Sequence, residues 1–87
     1  MTVTWAPAAA DPAIDPAPRI AYAVGRRAGG AVVRNRIRRR LREIVRDASP
    51  GLAPGAYLIG AGPEAATLPY DELRRTVMEA LQAVTNR

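Results

Sequence analysis

The chain contains no cysteine, no histidine and no lysine. Without cysteine, neither a disulfide framework nor a thiolate metal site can hold it together. Without histidine, the commonest general base and metal ligand is gone, which makes a self-contained hydrolase an unattractive reading. Large apolar side chains are also scarce. Alanine supplies 18 of the 42 residues counted as hydrophobic, leaving 24 larger ones, enough for one thin layer of packing. No stretch approaches the roughly 20 apolar residues of a membrane span, and the N-terminus lacks a charged-then-apolar signal layout. The expectation is a cytoplasmic protein with no membrane association.

What is present is arginine. All 13 cations are arginine, the net charge is +5, and nine of the 13 lie between Arg26 and Arg46, accompanied there only by Glu43, with Asp47 following. A GC-rich genome biases composition this way, yet the guanidinium also brings a planar fork suited to phosphate oxygens and base edges. A polyanionic partner is the expectation for such a charge distribution. The 87 residues are enough for one small domain, taken as 1–87.

Periodicity organises the chain. Thr2–Ala6 has β-branched and aromatic residues in alternation, a short strand signal. Residues 7–18 hold four prolines and five alanines, a composition that predicts an exposed proline-rich loop. Residues 19–24 alternate again, with Ile20, Tyr22 and Val24 on one face of a half-buried strand. After a basic, glycine-containing turn at 25–30, the period becomes helical over 31–47. Val33, Ile37, Leu41 and Ile44, with Val45 beside them, form one apolar stripe. At roughly 100° per residue this stripe covers about a third of the helix. Arg36, Arg38, Arg39, Arg42 and Arg46 fall outside it. Arg34 and Arg40 sit at its two edges, where a long stem lies over apolar neighbours and the charged head is expected to stay in water.

Ser49-Pro50-Gly51 stops this helix. Residues 55–61 read as a buried strand, 62–67 as a loop, and 71–84 as a second amphipathic helix with Leu73, Val77, Leu81 and Val84 along its seam. The order strand, strand, helix, strand, helix predicts an α+β two-layer sandwich with a single sheet. Trp5, Tyr22 and Tyr57 have faces suited to stacking on unpaired bases, but aromatics in so small a domain are expected mainly in the core. The acidic residues form no pair with an evident base or metal partner. No protein-borne catalytic residue, cofactor or metal is therefore expected.

The arginine helix is the feature that needs explaining. Six of the nine residues from Arg34 to Arg42 are arginine. Like charges at i, i+4, such as Arg34/Arg38 and Arg38/Arg42, each cost a few tenths of a kcal/mol. A free helix gains nothing from this crowding. A helix lying along phosphates does, because each cation displaces condensed counterions. Asn35, with a donor and an acceptor, is equipped to read a base edge or a sugar hydroxyl. A merely solvated charged face and a membrane-surface helix are the competing readings. The density of charge counts against the first, and an apolar face without bulky aromatics counts against the second.

The segment Ala31-Val32-Val33-Arg34-Asn35-Arg36-Ile37-Arg38-Arg39-Arg40-Leu41-Arg42 resembles the signature of the bacterial ribonuclease P protein. That signature runs small residue, two spacers, Arg-Asn-Arg, aliphatic, two basics, spacer, aliphatic, basic. A basic-tipped strand like Arg19–Arg27 before it and a helix start like Tyr70-Asp71-Glu72 after it extend the resemblance over nearly the whole chain. The resemblance implies an RNA-binding subunit that assists a catalytic RNA in endonucleolytic removal of the 5′ leader from precursor tRNA. It also implies a left-handed crossover between parallel strands, against the usual right-handed rule. Arg34, Asn35, Arg36, Arg38, Arg39 and Arg42 would contact the catalytic RNA, and Arg26 and Arg27 would form the family's basic pair ahead of the helix. Arg46, on the same exposed side, joins them as an RNA-binding residue. The implied partners are the ribonuclease P RNA and precursor tRNA, with no obligatory protein partner, and Mg²⁺ is expected at the catalytic RNA. The sequence departs from the family in showing no opening amphipathic helix ahead of the first strand. It also has Gly30 where Asn is frequent, and Ala61-Gly62-Pro63 where basic residues are common. A general basic RNA-binding or RNA-chaperone module is the alternative.

Overall fold

The computed structural model describes residues 1–6 and 18–85, so all but the last residue of the expected proline-rich loop falls outside the described residues. The chain forms strand β1 (Thr2–Ala6), strand β2 (Arg19–Ala23), helix α1 (Ala31–Ala48), strand β3 (Ala56–Gly60), a short helix α2 (Glu64–Thr67) and helix α3 (Tyr70–Thr85). Arg26–Ala28 and Ser49–Gly51 form single 3₁₀ turns at the two ends of α1. Each long element lies within a residue or two of where hydrophobic period places it.

The three strands make one sheet in the order β1-β3-β2, with β3 antiparallel to β1 and parallel to β2. Parallel neighbours cannot be joined by a tight turn, and here α1 provides the crossover between β2 and β3. Register sets two inward-facing rows across the sheet: Val3–Ile59–Tyr22 and Trp5–Tyr57–Ile20. The opposite face carries the exposed row Thr4–Leu58–Ala21, in which Leu58 is a large apolar side chain open to solvent.

The helices cover the inward face. Ile37, Leu41, Ile44 and Val45 from α1 meet Tyr57 and Ile59 of β3 and Leu73, Val77 and Leu81 of α3 in a single core. Each fully buried side chain of this kind contributes roughly 1.5–3 kcal/mol relative to exposure. Tyr57 is enclosed and donates its hydroxyl to the Ala53 carbonyl at 2.7 Å, so it belongs to the core. Burial raises its phenol pKa above the ordinary value. No helix among the described residues is long and apolar enough to cross a membrane.

One local expectation is corrected. Residues 62–67 are not all loop: Glu64–Thr67 make the turn of helix α2, with Ala65 and Ala66 buried. Four residues are barely one helical turn, too short to display a period. Their helicity is set by packing against α1.

The turn into α1 depends on Gly29, whose φ of 138° suits glycine, and a Cβ there would lie 2.9 Å from the Val33 side chain. Gly30 then opens α1 with no side-chain cap, and the Arg34 N–H closes the first helical hydrogen bond onto the Gly30 carbonyl at 2.9 Å. The N–H groups before Arg34 have no intrahelical acceptor, and no side chain caps them.

Candidate nucleic-acid interface

Seating the apolar stripe of α1 on the sheet fixes where every arginine of the helix points. The exposed side carries Asn35, Arg36, Arg39, Arg42 and Arg46, together with Glu43. Arg26 and Arg27, on the 3₁₀ turn packed at the N-terminal end of α1, are exposed and extend this basic surface beyond the helix. Among the described residues, no carboxylate forms an ion pair with any of these side chains. Among the described residues, a side-chain ion pair joins Asp47 of α1 to Arg74 of α3 at 2.8 Å. The hydrogen bond from Arg74 raises that guanidinium's pKa further above its ordinary value. Both partners are largely solvated, so the pair contributes little to stability.

Two flanks of the helix differ. On the β2 side, Arg38 donates to the Val24 carbonyl and to Asn35 Oδ1, each at 3.4 Å, which holds both side chains at the surface. These are long bonds, at the weak end of the useful range. One turn further along, the Arg42 guanidinium carbon stands 6.0 Å from the centre of the Tyr22 ring. Tyr22 is half-buried; burial raises its phenol pKa, and Arg42 partly opposes the shift. Ile20 and Tyr22 from β2, Arg42, Val45 and Arg46 from α1, and Ser49 and Pro50 beyond it line an open groove of about 460 Å³.

On the α3 side, Arg40 corrects the expectation of a wet head group. Its guanidinium donates to the Ala65 carbonyl at 2.8 Å and also to the Leu68 carbonyl. Ala65 lies within α2 and Leu68 is the residue that ends it, and in a single helical turn these carbonyls have no intrahelical partner. Arg40 is therefore a tie between α1 and α2 rather than part of the outward-facing surface. Arg40→Ala is expected to cost about 1–2 kcal/mol, since hydrogen bonds from charged donors contribute more than neutral ones. Arg39→Ala is expected to stay within about 0.5 kcal/mol, as surface changes do. Paired urea melts check this, and equal effects would remove the distinction.

Arg34, at the other edge of the stripe, is half-buried, and its enclosed Nε has no hydrogen-bond partner among the described residues. The expected site residues therefore divide: Arg26, Arg27, Asn35, Arg36, Arg39, Arg42 and Arg46 share the open surface, Arg38 is anchored at its β2 edge, and Arg34 is partly withdrawn. Sequence reasoning did not single out Arg40 as structural or Tyr22 as a groove residue. The spacer position that Arg40 occupies in the basic run was the available signal for the first. For the second, the strand alternation had already turned Tyr22 inward. Among the described residues, no three acidic side chains gather in a way that would hold a metal ion.

The family described as Ribonuclease P matches residues 1–85 of the chain. The ribonuclease P protein component of Thermobifida fusca is 43% identical over 75 residues, covering 85% of this chain and 51% of that protein. The ribonuclease P protein component of Symbiobacterium thermophilum is 45% identical over 65 residues, covering 74% of this chain and 56% of the relative. The chain thus spans about half the length of the curated relatives it matches. Among solved structures, the RNase P protein of Staphylococcus aureus superposes with a TM-score of 0.77 at 18% identity, over 93% of this chain and 71% of that one. The RNase P protein of Thermotoga maritima, solved with a fluorophenyl thiourea, also gives 0.77 at 18% identity, over 92% of this chain and 75% of that one. At such identities the two structures establish a shared fold.

Proposed function

This chain belongs to the ribonuclease P protein family, and from that membership we propose that it is the RNA-binding subunit of a ribonuclease P, assisting a catalytic RNA in removing the 5′ leader from precursor tRNA. The observation that carries the reading is the row of exposed guanidinium groups on α1, Arg36, Arg39, Arg42 and Arg46, with no carboxylate paired to them among the described residues. A surface of this kind is self-repelling in the free protein and is relieved by a phosphate backbone.

In this proposal the protein contributes binding and the RNA contributes the chemistry. Arg36, Arg39, Arg42 and Arg46 neutralise phosphates of the catalytic RNA, and Arg26 and Arg27 extend the contact past the uncapped start of α1. That start, with free N–H groups and the positive end of the helix dipole, favours a phosphate. Arg38 holds Asn35 at the surface, where its amide can meet a sugar hydroxyl or base edge. Mg²⁺ acts at the RNA, and lowered repulsion between catalytic RNA and precursor tRNA reduces how much of it is needed. The proposed setting is the cytoplasm.

The purified chain is expected to cleave nothing alone. Added to the ribonuclease P RNA of the same organism, it is expected to shift precursor-tRNA cleavage to lower Mg²⁺. A catalytic RNA whose Mg²⁺ dependence is unmoved by the protein would defeat the proposal. Equal affinity for that RNA and for an unrelated folded RNA would instead favour a general RNA-binding or chaperone module.

A further inference from the structure

The entry into α1 offers a partner little more than backbone, with one exception. Gly29 and Gly30 have no side chain and Ala31 has a single methyl, whereas Val32 stands 84% exposed. Val33 is turned inward, packed on the core and against Gly29, where an added Cβ would lie 2.9 Å from it. Chain neighbours aside, no atom lies within 4 Å of where a Cβ on Gly30 would stand, so that side of Val32 is open.

A lone exposed valine is ordinary on a protein surface. The place of this one on the helix sets it apart. At 100° per residue, Arg36, Arg39 and Arg46, with Glu43 among them, lie within about 40° of Val32 around the helix axis. Leu41 lies about 180° away. Leu41 is the fully buried centre of the apolar stripe, so Val32 stands on the outermost line of α1 and heads its row of exposed guanidinium groups. Arg26 and Arg27, exposed on the preceding 3₁₀ turn, continue the basic surface past it. The free protein gains little from valine there, because an exposed β-branched residue in a helix is less favourable than alanine.

We propose that Val32 packs against ribose carbons of the catalytic RNA, between phosphates held by Arg26 or Arg27 and by Arg36. The assignment rests on the RNA-binding reading of α1 and deepens it, adding an apolar contact to a surface otherwise made of charge. A ribose is the occupant that fits, since it is the least polar part of the backbone between successive phosphates. The wide, shallow minor groove of paired RNA exposes that sugar edge. A phosphate contact releases counterions and weakens with salt, whereas burying valine methyls against sugar carbons releases none. Val32 therefore supplies affinity that persists at salt concentrations where the arginine contacts fade.

The test measures binding of the full chain to the ribonuclease P RNA of the same organism across a salt series, with a thermal melt of each variant. Val32→Ala is expected to lose roughly five- to tenfold in affinity at every salt concentration, the scale of uncovering two methyl groups. Its slope of log affinity against log salt is expected to match the parent's, whereas losing a phosphate contact takes roughly 0.7 to 0.9 from it. Its melting temperature is expected to equal or exceed the parent's, since alanine is the better helix former. Val32→Ile is expected to retain the parent's affinity. Val32→Thr, equal in shape with one methyl exchanged for a hydroxyl, is expected to lose as Val32→Ala does. Hydroxyl radicals report the exposure of ribose hydrogens, and at saturating protein a short stretch of RNA protected by the parent is expected to become cleavable with Val32→Ala.

Parent-like binding by Val32→Ala would leave the valine in water in the complex and overturn the assignment. A lower salt slope or melting temperature in that variant would do the same, by showing that Val32 acts through the arginines or the fold. Full affinity in Val32→Thr would make the contact polar, and unchanged ribose protection in Val32→Ala would remove the sugar as its occupant. Absence of salt-dependent binding by the parent would overturn the RNA-binding reading itself.

Discussion

Replacing Arg36 and Arg39 together by alanine is expected to weaken binding to the catalytic RNA by tenfold or more while leaving the fold intact. Both side chains are exposed and neither forms an ion pair among the described residues, so the free protein loses nothing that holds it together. In the complex, each phosphate contact contributes roughly 0.7 to 0.9 to the slope of log affinity against log salt. A surface making about five or six contacts should therefore be steeply salt-dependent, and the double variant should lose about 1.5 from that slope. Filter binding across a salt series, paired with thermal melts, gives both quantities. Melting within about 4 °C of the parent corresponds to a surface effect of some 0.5 kcal/mol. Comparable loss of stability and affinity would show the two arginines to be structural, and an unaltered salt slope would remove them from the interface.

Leu41→Ala, on the opposite face of the same helix, should behave in reverse. Leu41 has no exposed surface and lies at the centre of the α1 stripe, between Ile37 and Ile44. Truncating such a side chain removes its transfer energy and leaves a cavity, a loss of about 2–5 kcal/mol. Small domains have only about 5–15 kcal/mol in total, and one of this size loses roughly 4–8 °C of melting temperature per kcal/mol. The variant should melt about 8 °C lower or more. Its RNA affinity should fall only as far as its unfolded fraction dictates, and saturating RNA should restore part of the lost stability through linkage. A loss below about 1 kcal/mol would mean that α1 is not seated as described. The contrast between adjacent stretches of one helix separates binding from folding in a way neither variant does alone.

Several features of the site are legible in the sequence. The spacing of Val33, Ile37, Leu41 and Ile44 named the buried side of α1, and burial of Ile37, Leu41 and Ile44 follows it. The exposed positions of Arg36, Arg39, Arg42 and Arg46 follow from the same period, because 3.6 residues per turn leaves them nowhere else to point. The strands at 2–6 and 19–23 were readable because side chains in a strand alternate strictly.

Arg40 and Tyr22 were not legible in this sense. Arg40 looks like its neighbours in the basic run, and only the carbonyls of Ala65 and Leu68, 25 and 28 residues away, give it a different role. Tyr22 reads as a core aromatic by alternation, but β2 lies at the edge of the sheet, so its ring opens onto a groove. Helix α2 likewise owes its turn to contacts that its four residues do not encode.

By itself the sequence determined the elements, the buried side of each, and the dense positive charge along α1, because these depend on near neighbours along the chain and on local geometry. The tertiary structure alone decided the strand order β1-β3-β2, the mixed parallel and antiparallel pairing, the burial of one arginine's donors against another helix, and the groove beside Tyr22. These depend on which distant segments meet, and that is settled only when the apolar faces of the strands and helices close on one another to leave water.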